Sequence, residues 1–163
     1  MTLDLQRLTQ RRRPLEQLES EIVRRYLADP EEVPATFYEL LRYVVCFARL
    51  LSVTNPEGET VDVSGPMAAF ALSMEEQIRE RLEGSSGLST LTSILPQLVE
   101  RTRTTRRSLL ERLPIERDAL EKEVTTRLLA VASGGGGGSG YVYLGAYSAL
   151  DRHDLVPSLM TGT

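Results

Sequence analysis

The chain has 163 residues, 19 basic and 23 acidic, for a net charge of −4, and is 41% apolar, 26% charged and 6% aromatic. That length suits one domain, or one small domain with part of another, and the apolar content argues against intrinsic disorder. The acidic balance speaks against a dedicated nucleic-acid-binding protein. A single cysteine, Cys46, and a single histidine, His153, exclude an intramolecular disulfide framework and a conventional Cys/His zinc site.

No membrane span is readable. The most apolar stretch, Val44 to Leu51, contains Arg49 and is far shorter than the roughly 20 residues a spanning helix needs. At the N-terminus Leu3, Leu5 and Leu8 alternate with polar residues, and Arg11-Arg12-Arg13 stands where a secretory signal would carry its cleavage site. The expected location is the cytoplasm.

Residues 1–126 read as a helical region punctuated by Pro and Gly. Leu15, Leu18, Ile22 and Tyr26, joined by Val23 and Leu27, recur at three- and four-residue steps and predict one apolar stripe on a helix that Asp29-Pro30 stops. After Pro34, a residue suited to a first helical turn, come Phe37, Leu40, Leu41, Val44, Val45, Phe47 and Leu51. This second helix is apolar over most of its circumference and belongs at the centre of the core. Asn55-Pro56-Glu57-Gly58 signals a turn, and Val61 and Val63 alternate with polar residues over too short a run to define a strand.

Ser64-Gly65-Pro66 opens a third helix with Met67, Phe70, Met74, Ile78 and Leu82 on one face, ended by Gly84 to Gly87. The Met67/Met74 spacing reads as core packing before it reads as an acyl-chain pocket. A fourth helix carries Leu91, Ile94, Leu95, Leu98 and Val99, with Pro96 as a kink or early-turn residue; its polar continuation Arg101 to Arg107 gives way to Leu109, Leu110 and Leu113. Pro114 restarts a shorter helix to about Val124.

Residues 127–163 change character. Leu128 to Ala132 is a short continuous apolar run, suited to a strand buried on both faces. A run of glycines from Gly134 to Gly140, interrupted by Ser139, precedes a helix-like stretch, Tyr141 to Leu150, whose Tyr143, Leu144, Tyr147 and Leu150 share a face. Asp151 to Asp154 turns the chain, and Leu155 to Met160 suits a second strand, parallel to the first and joined to it by a right-handed crossover. The expected fold class is therefore a mostly α N-terminal region followed by the start of an α/β domain with a parallel sheet. A strand–helix–strand unit of this size makes no stable sheet alone, so the chain reads as truncated.

Four readings of the glycine run compete. A flexible linker fits its composition, but apolar residues frame it without a polar margin. A phosphate-binding loop fails, because Tyr141 and Val142 stand where Lys and Ser/Thr are needed. A dinucleotide fingerprint fits Gly135, Gly137 and Gly140, but Ser158 to Thr161 holds no acid for the ribose. The fourth is an oxyanion loop: glycines let successive backbone N–H groups turn toward one point before a helix N-terminus. Its partner would be a nucleophile elbow, Gly-x-Ser-x-Gly, of which Gly162-Thr163 occupies the first two places.

Ser133 to Leu150, which holds the glycine run and Gly145, together with Met160-Thr161-Gly162-Thr163, resembles the opening of a patatin-like phospholipase domain. The resemblance covers residues 128–163. It implies a fold with a Gly-Gly-Gly-x-Arg/Lys-Gly loop after the first strand and a second strand leading into Gly-Thr-Ser-x-Gly. It further implies an oxyanion loop formed by Gly135, Gly136, Gly137 and Gly140, and a Ser–Asp dyad whose two members fall beyond Thr163. Ser139 stands where the family carries Arg or Lys.

Other candidates weigh toward structural roles. His153, Asp151 and Asp154 read as turn residues, and Cys46 as a small buried side chain. Arg103, Arg106 and Arg107 share a helical face that could meet lipid phosphates, although a solvated face or an acidic protein surface is the simpler use; the same holds for Arg11 to Arg13.

The sequence thus leads to the N-terminal part of a patatin-like serine lipid acyl hydrolase. Its substrate would be a lipid or acyl ester, with peripheral membrane contact, no nucleic-acid partner, and neither cofactor nor metal. By itself the chain, lacking the nucleophile, is expected to be inactive. The rival reading is a non-catalytic helical interaction module with a Gly-rich tail. The residues encoded after Thr163 discriminate the two.

Overall fold

The computed structural model describes residues 2–84, 87–126, 130–134, 141–152 and 159–162. The chain divides into two compact units, Met1–Thr125 and Thr126–Thr163, and most of the described residues are helical.

The first unit begins with α1 (Thr2–Ala28), which includes Pro14 and stops before Asp29-Pro30. Its Leu15, Leu18 and Ile22 are buried, and Tyr26 stacks on Tyr38 with ring centroids 3.9 Å apart. Leu27 is exposed and lies off the stripe. Helix α2 (Ala35–Ala48) follows Pro34 and packs against α1 and three later helices. Tyr38, Leu41, Val44, Val45, Phe47 and Ala48 are buried on it. Two residues expected in its core are not: Phe37 is half-buried and Leu40 is 47% exposed. The reason is geometric. Thr36, Glu39, Leu40 and Tyr43 fall at helical spacing on one line, and no neighbouring helix fully covers it.

After α2 the chain forms a hairpin that sequence periodicity did not define. Strand β1 (Ser52–Thr54) pairs antiparallel with β2 (Thr60–Asp62), Val53 opposite Val61. Three-residue strands carry almost no period-two signal, so burial of Val53 and Val63 and the turn at residues 55–58 do the specifying. Gly58 closes that turn at φ +86°, a conformation a Cβ would strain, and donates to the Asn55 carbonyl at 2.9 Å. The buried Asn55 side chain then fixes the hairpin to a distant connection. Its amide donates to the Pro114 carbonyl at 2.8 Å and its oxygen accepts from the Glu116 N–H at 3.1 Å.

Helix α3 (Ser64–Leu82) buries Met67, Phe70, Met74, Ile78 and Leu82, the expected face, so both methionines are core residues. A single 3-10 turn (Ser89–Leu91) precedes α4 (Leu95–Arg112), where Pro96 sits in the first turn without cost to the hydrogen-bond ladder. Helix α5 (Arg117–Thr125) starts three residues after Pro114 and buries Ala119, Leu120 and Val124. Phe47 of α2 meets Phe70 of α3 edge to face at 5.6 Å, at the middle of the bundle.

The start of the 3-10 turn is held from outside. The Glu32 carboxylate accepts from the N–H groups of Leu88 (2.7 Å) and Ser89 (3.0 Å) and from the Ser89 hydroxyl (2.7 Å). Arg25, on the neighbouring turn, donates to the Leu82 carbonyl at 3.3 Å, at the negative end of α3. Hydrogen bonds from Ser89, then from Leu88, hold the Glu32 pKa below its ordinary 4.5. A Cβ at Gly87 would overlap the Glu32 carboxylate, so a larger residue there makes that flexible side chain shift from its place.

In the second unit, β3 (Ala130–Ser133) and β4 (Leu159–Gly162) pair in parallel, with α6 (Tyr141–Arg152) between them in sequence. The first strand runs to Ser133 rather than Ala132, and the second lies later than expected, ending at Gly162 rather than Met160. Leu128 and Leu129, the expected start of the first strand, and residues 153–158, including His153 and Asp154, lie outside the described residues. On α6, Leu144 is exposed and Tyr147 and Leu150 are half-buried.

Two predictions follow from the first unit. Leu41 is fully buried, so Leu41→Ala should destabilise it by about 2–5 kcal/mol, read as a shift of the urea midpoint; a change under about half a kcal/mol would place the core elsewhere. Glu32→Ala and Gly87→Ala should each cost about 1 kcal/mol, and the double variant no more than either alone. Because the folded pKa of Glu32 is depressed, its contribution is complete above pH 4.5 and is lost as the pH falls further, through the folded value. Additive costs would show that the two residues act separately.

Candidate functional site

In the second unit the parallel register sets Ala130 opposite Leu159, Val131 opposite Met160, Ala132 opposite Thr161 and Ser133 opposite Gly162. Parallel strands point their carboxyl ends the same way, and neighbours lie about 4.8 Å apart. Ser133, which precedes Gly134, and Gly162 therefore end the two strands side by side at one edge. This carboxyl edge is where open parallel sheets place their ligands. Gly134 is exposed there, and α6 begins at Tyr141, directly after the glycine run. Of the candidate site residues, Gly162 ends β4; Gly135, Gly136, Gly137, Gly140 and Thr163 lie outside the described residues.

The first unit holds a separate concavity, a cleft of about 330 Å³ between α2, α4 and α5. Leu40, Val44 and Val99 supply apolar wall, and Tyr43, Thr102, Arg103, Arg106 and Glu121 complete the lining. Val99, Thr102, Arg103 and Arg106 share one face because they follow the three- and four-residue steps of α4. Buried Thr102 turns its hydroxyl back to the Leu98 carbonyl at 2.8 Å, which satisfies it within the helix. Glu121 is the polar hub: it accepts from the Tyr43 hydroxyl at 3.0 Å and pairs with Nε of Arg106. Burial, reinforced by the Glu121 charge, pushes the Tyr43 pKa up to about 12, so the phenol stays a donor.

The arginine face of α4 is thus partly committed. Arg106 is paired with Glu121, and Arg101 donates to the Ser73 hydroxyl at 2.9 Å. Arg103 makes only an exposed 3.6 Å contact with Glu100, and Arg107 is exposed. Sequence reading singled out the arginines but not Tyr43 or Glu121, which meet across 78 positions of chain. The one available signal was the polar interruption at Arg101 to Arg107 in an otherwise apolar helix.

Cys46 is half-buried, with its thiol 3.5 Å from Glu19 Oε1. Burial pushes the thiol pKa up and the Glu19 charge adds to it, which opposes thiolate chemistry. Glu19 is itself clamped by Arg49 at 2.6 Å and Arg42 at 3.1 Å, a cluster that joins α1 to α2. Among the described residues, no group of three or more His, Cys, Asp or Glu side chains could hold a metal, and no helix is long and apolar enough to cross a membrane.

Compared with protein-family models, with curated proteins and with solved structures, the chain finds no match in any of the three.

Proposed function

We propose that the chain supplies the oxyanion loop and the approach to the nucleophile elbow of a patatin-like serine lipid acyl hydrolase, with residues 1–126 as a helical accessory region. The observation that carries this reading is the register of β3 on β4. It sets Ser133, the residue before the glycine run, beside Gly162, the first residue of the Gly-Thr step. A hydrolase needs that proximity, because the attacking hydroxyl adds to the carbonyl carbon while the oxyanion donors hold the carbonyl oxygen.

The chemistry would run as follows. A Ser immediately after Thr163 attacks the acyl carbonyl, and a downstream Asp takes its proton. The tetrahedral oxyanion is met by backbone N–H groups among Gly135, Gly136, Gly137 and Gly140, whose lack of Cβ lets the backbone close on it. The positive end of α6 adds to that field. Collapse expels the alcohol, which takes the proton back from the Asp, and leaves an acyl-enzyme that water hydrolyses with the Asp again as base. The working location would be the cytoplasm, with peripheral contact to a lipid surface.

The non-catalytic reading is favoured by one observation: Met1–Thr125 is a compact unit in its own right, with a core of its own. Activity separates the two readings. The 163-residue chain should leave a chromogenic short-chain ester intact, and the protein extended through its natural continuation should hydrolyse it. In that protein Gly137→Ala should lower kcat by about 10²-fold or more while thermal stability changes little. Absence of activity toward every acyl ester in the extended protein, or full activity without the Ser after Thr163, would refute the hydrolase.

A further inference from the structure

We propose that the cleft between α2, α4 and α5 is a binding site for a small amphiphilic monoanion: a carboxylate carried on a short apolar chain. The site lies entirely within the first unit and uses none of the residues assigned to ester hydrolysis, so its fate is independent of that reading.

The apolar half of the ligand is indicated by the wall. Leu40 is nearly half exposed at the cleft margin, on the uncovered line of α2, beside buried Val44 and half-buried Val99. A large apolar side chain left in water next to a concavity gains by being covered. The volume of about 330 Å³ corresponds to roughly eleven water volumes, room for about ten non-hydrogen atoms.

The anionic half is indicated by how Arg106 is held. Its Nε is committed to Glu121, and Glu121 is also fixed by the Tyr43 hydroxyl. The guanidinium, which also meets the Tyr43 hydroxyl, is therefore pre-positioned on the cleft lining, where its planar fork can grip a carboxylate. Arg103 stands one helical turn away on the same lining, with only an exposed contact to Glu100 competing for it. Two arginines against one glutamate leave the lining one positive charge in excess, which a monoanion balances. A phosphate monoester, carrying close to two charges, would meet Glu121 with charge unmatched.

The test uses the 163-residue chain, with octanoate as the probe and octanol and acetate as its two halves. Binding is followed by titration calorimetry and by the methyl resonances of Leu40, Val44 and Val99. Octanoate should bind saturably at one site and shift those resonances, while octanol and acetate each bind at least about tenfold more weakly. Arg106→Gln should weaken octanoate about tenfold and leave octanol unchanged. Arg103→Gln and Leu40→Asn, both at exposed positions, should weaken it several-fold with the amide spectrum preserved, and they keep the test decisive if Arg106→Gln disturbs the fold. Octanol binding as tightly as octanoate, shifts spread over the whole surface, or arginine variants that bind octanoate like the parent chain would overturn the proposal.

Discussion

Helix α2 keeps one narrow line for water and buries most of the rest, and the first unit is built around that constraint. Leu41, Val44, Val45, Phe47 and Ala48 are all buried on its fourteen residues, and burying such side chains is worth about 1.5–3 kcal/mol each for the larger ones. One neighbour cannot cover so wide a face. Helices α1, α3, α4 and α5 all pack on α2, and strand β1, with Val53 buried, packs on α5. The polar groups at the margins follow. Glu19 of α1 reaches Arg42 of α2 and Arg49 just past its end, and Glu121 of α5 is bridged by Tyr43 of α2 and Arg106 of α4. Half-buried pairs of this kind add modest stability, but they penalise any other rotation of the helices, because each would strand a charge. The cleft is what remains along the line of α2 that the four neighbours leave open.

How much of this the sequence disclosed depended on the length of each repeat. The faces of α3 and of α1 from Leu15 to Ile22 were readable because apolar residues recur there over several turns. The centrality of α2 was readable for the same reason, but Leu40 was not separable from Leu41: a helix apolar nearly all round does not announce which narrow line stays bare. Strand β1 was invisible because three residues carry no period, and Asn55 was read only as part of a turn signal although its side chain bonds to Pro114 and Glu116. Glu32 carried no signal at all. Its role depends on Leu88 and Ser89, more than fifty positions away, and on a glycine at 87 that leaves room for it.

The second unit shows the opposite balance. Its glycine run was the loudest feature of the sequence and admitted four chemistries by composition. The strand before it pairs in parallel with β4, Ser133 opposite Gly162, an arrangement that phosphate-binding, dinucleotide and oxyanion loops all share. The first unit offers a packed scaffold with a lined cleft, and the described part of the second a pair of parallel strands.

The central functional claim is that the step after Gly162-Thr163 is a nucleophile elbow served by this glycine run. It is tested most directly by mass spectrometry of the polypeptide made from its natural reading frame and treated with a fluorophosphonate, which a nucleophilic serine captures by displacing fluoride. The account predicts one adduct, on a serine immediately following Thr163, with labelling slowed in Gly137→Ala. A polypeptide that ends at Thr163, an unlabelled protein, or an adduct on any other residue would contradict it.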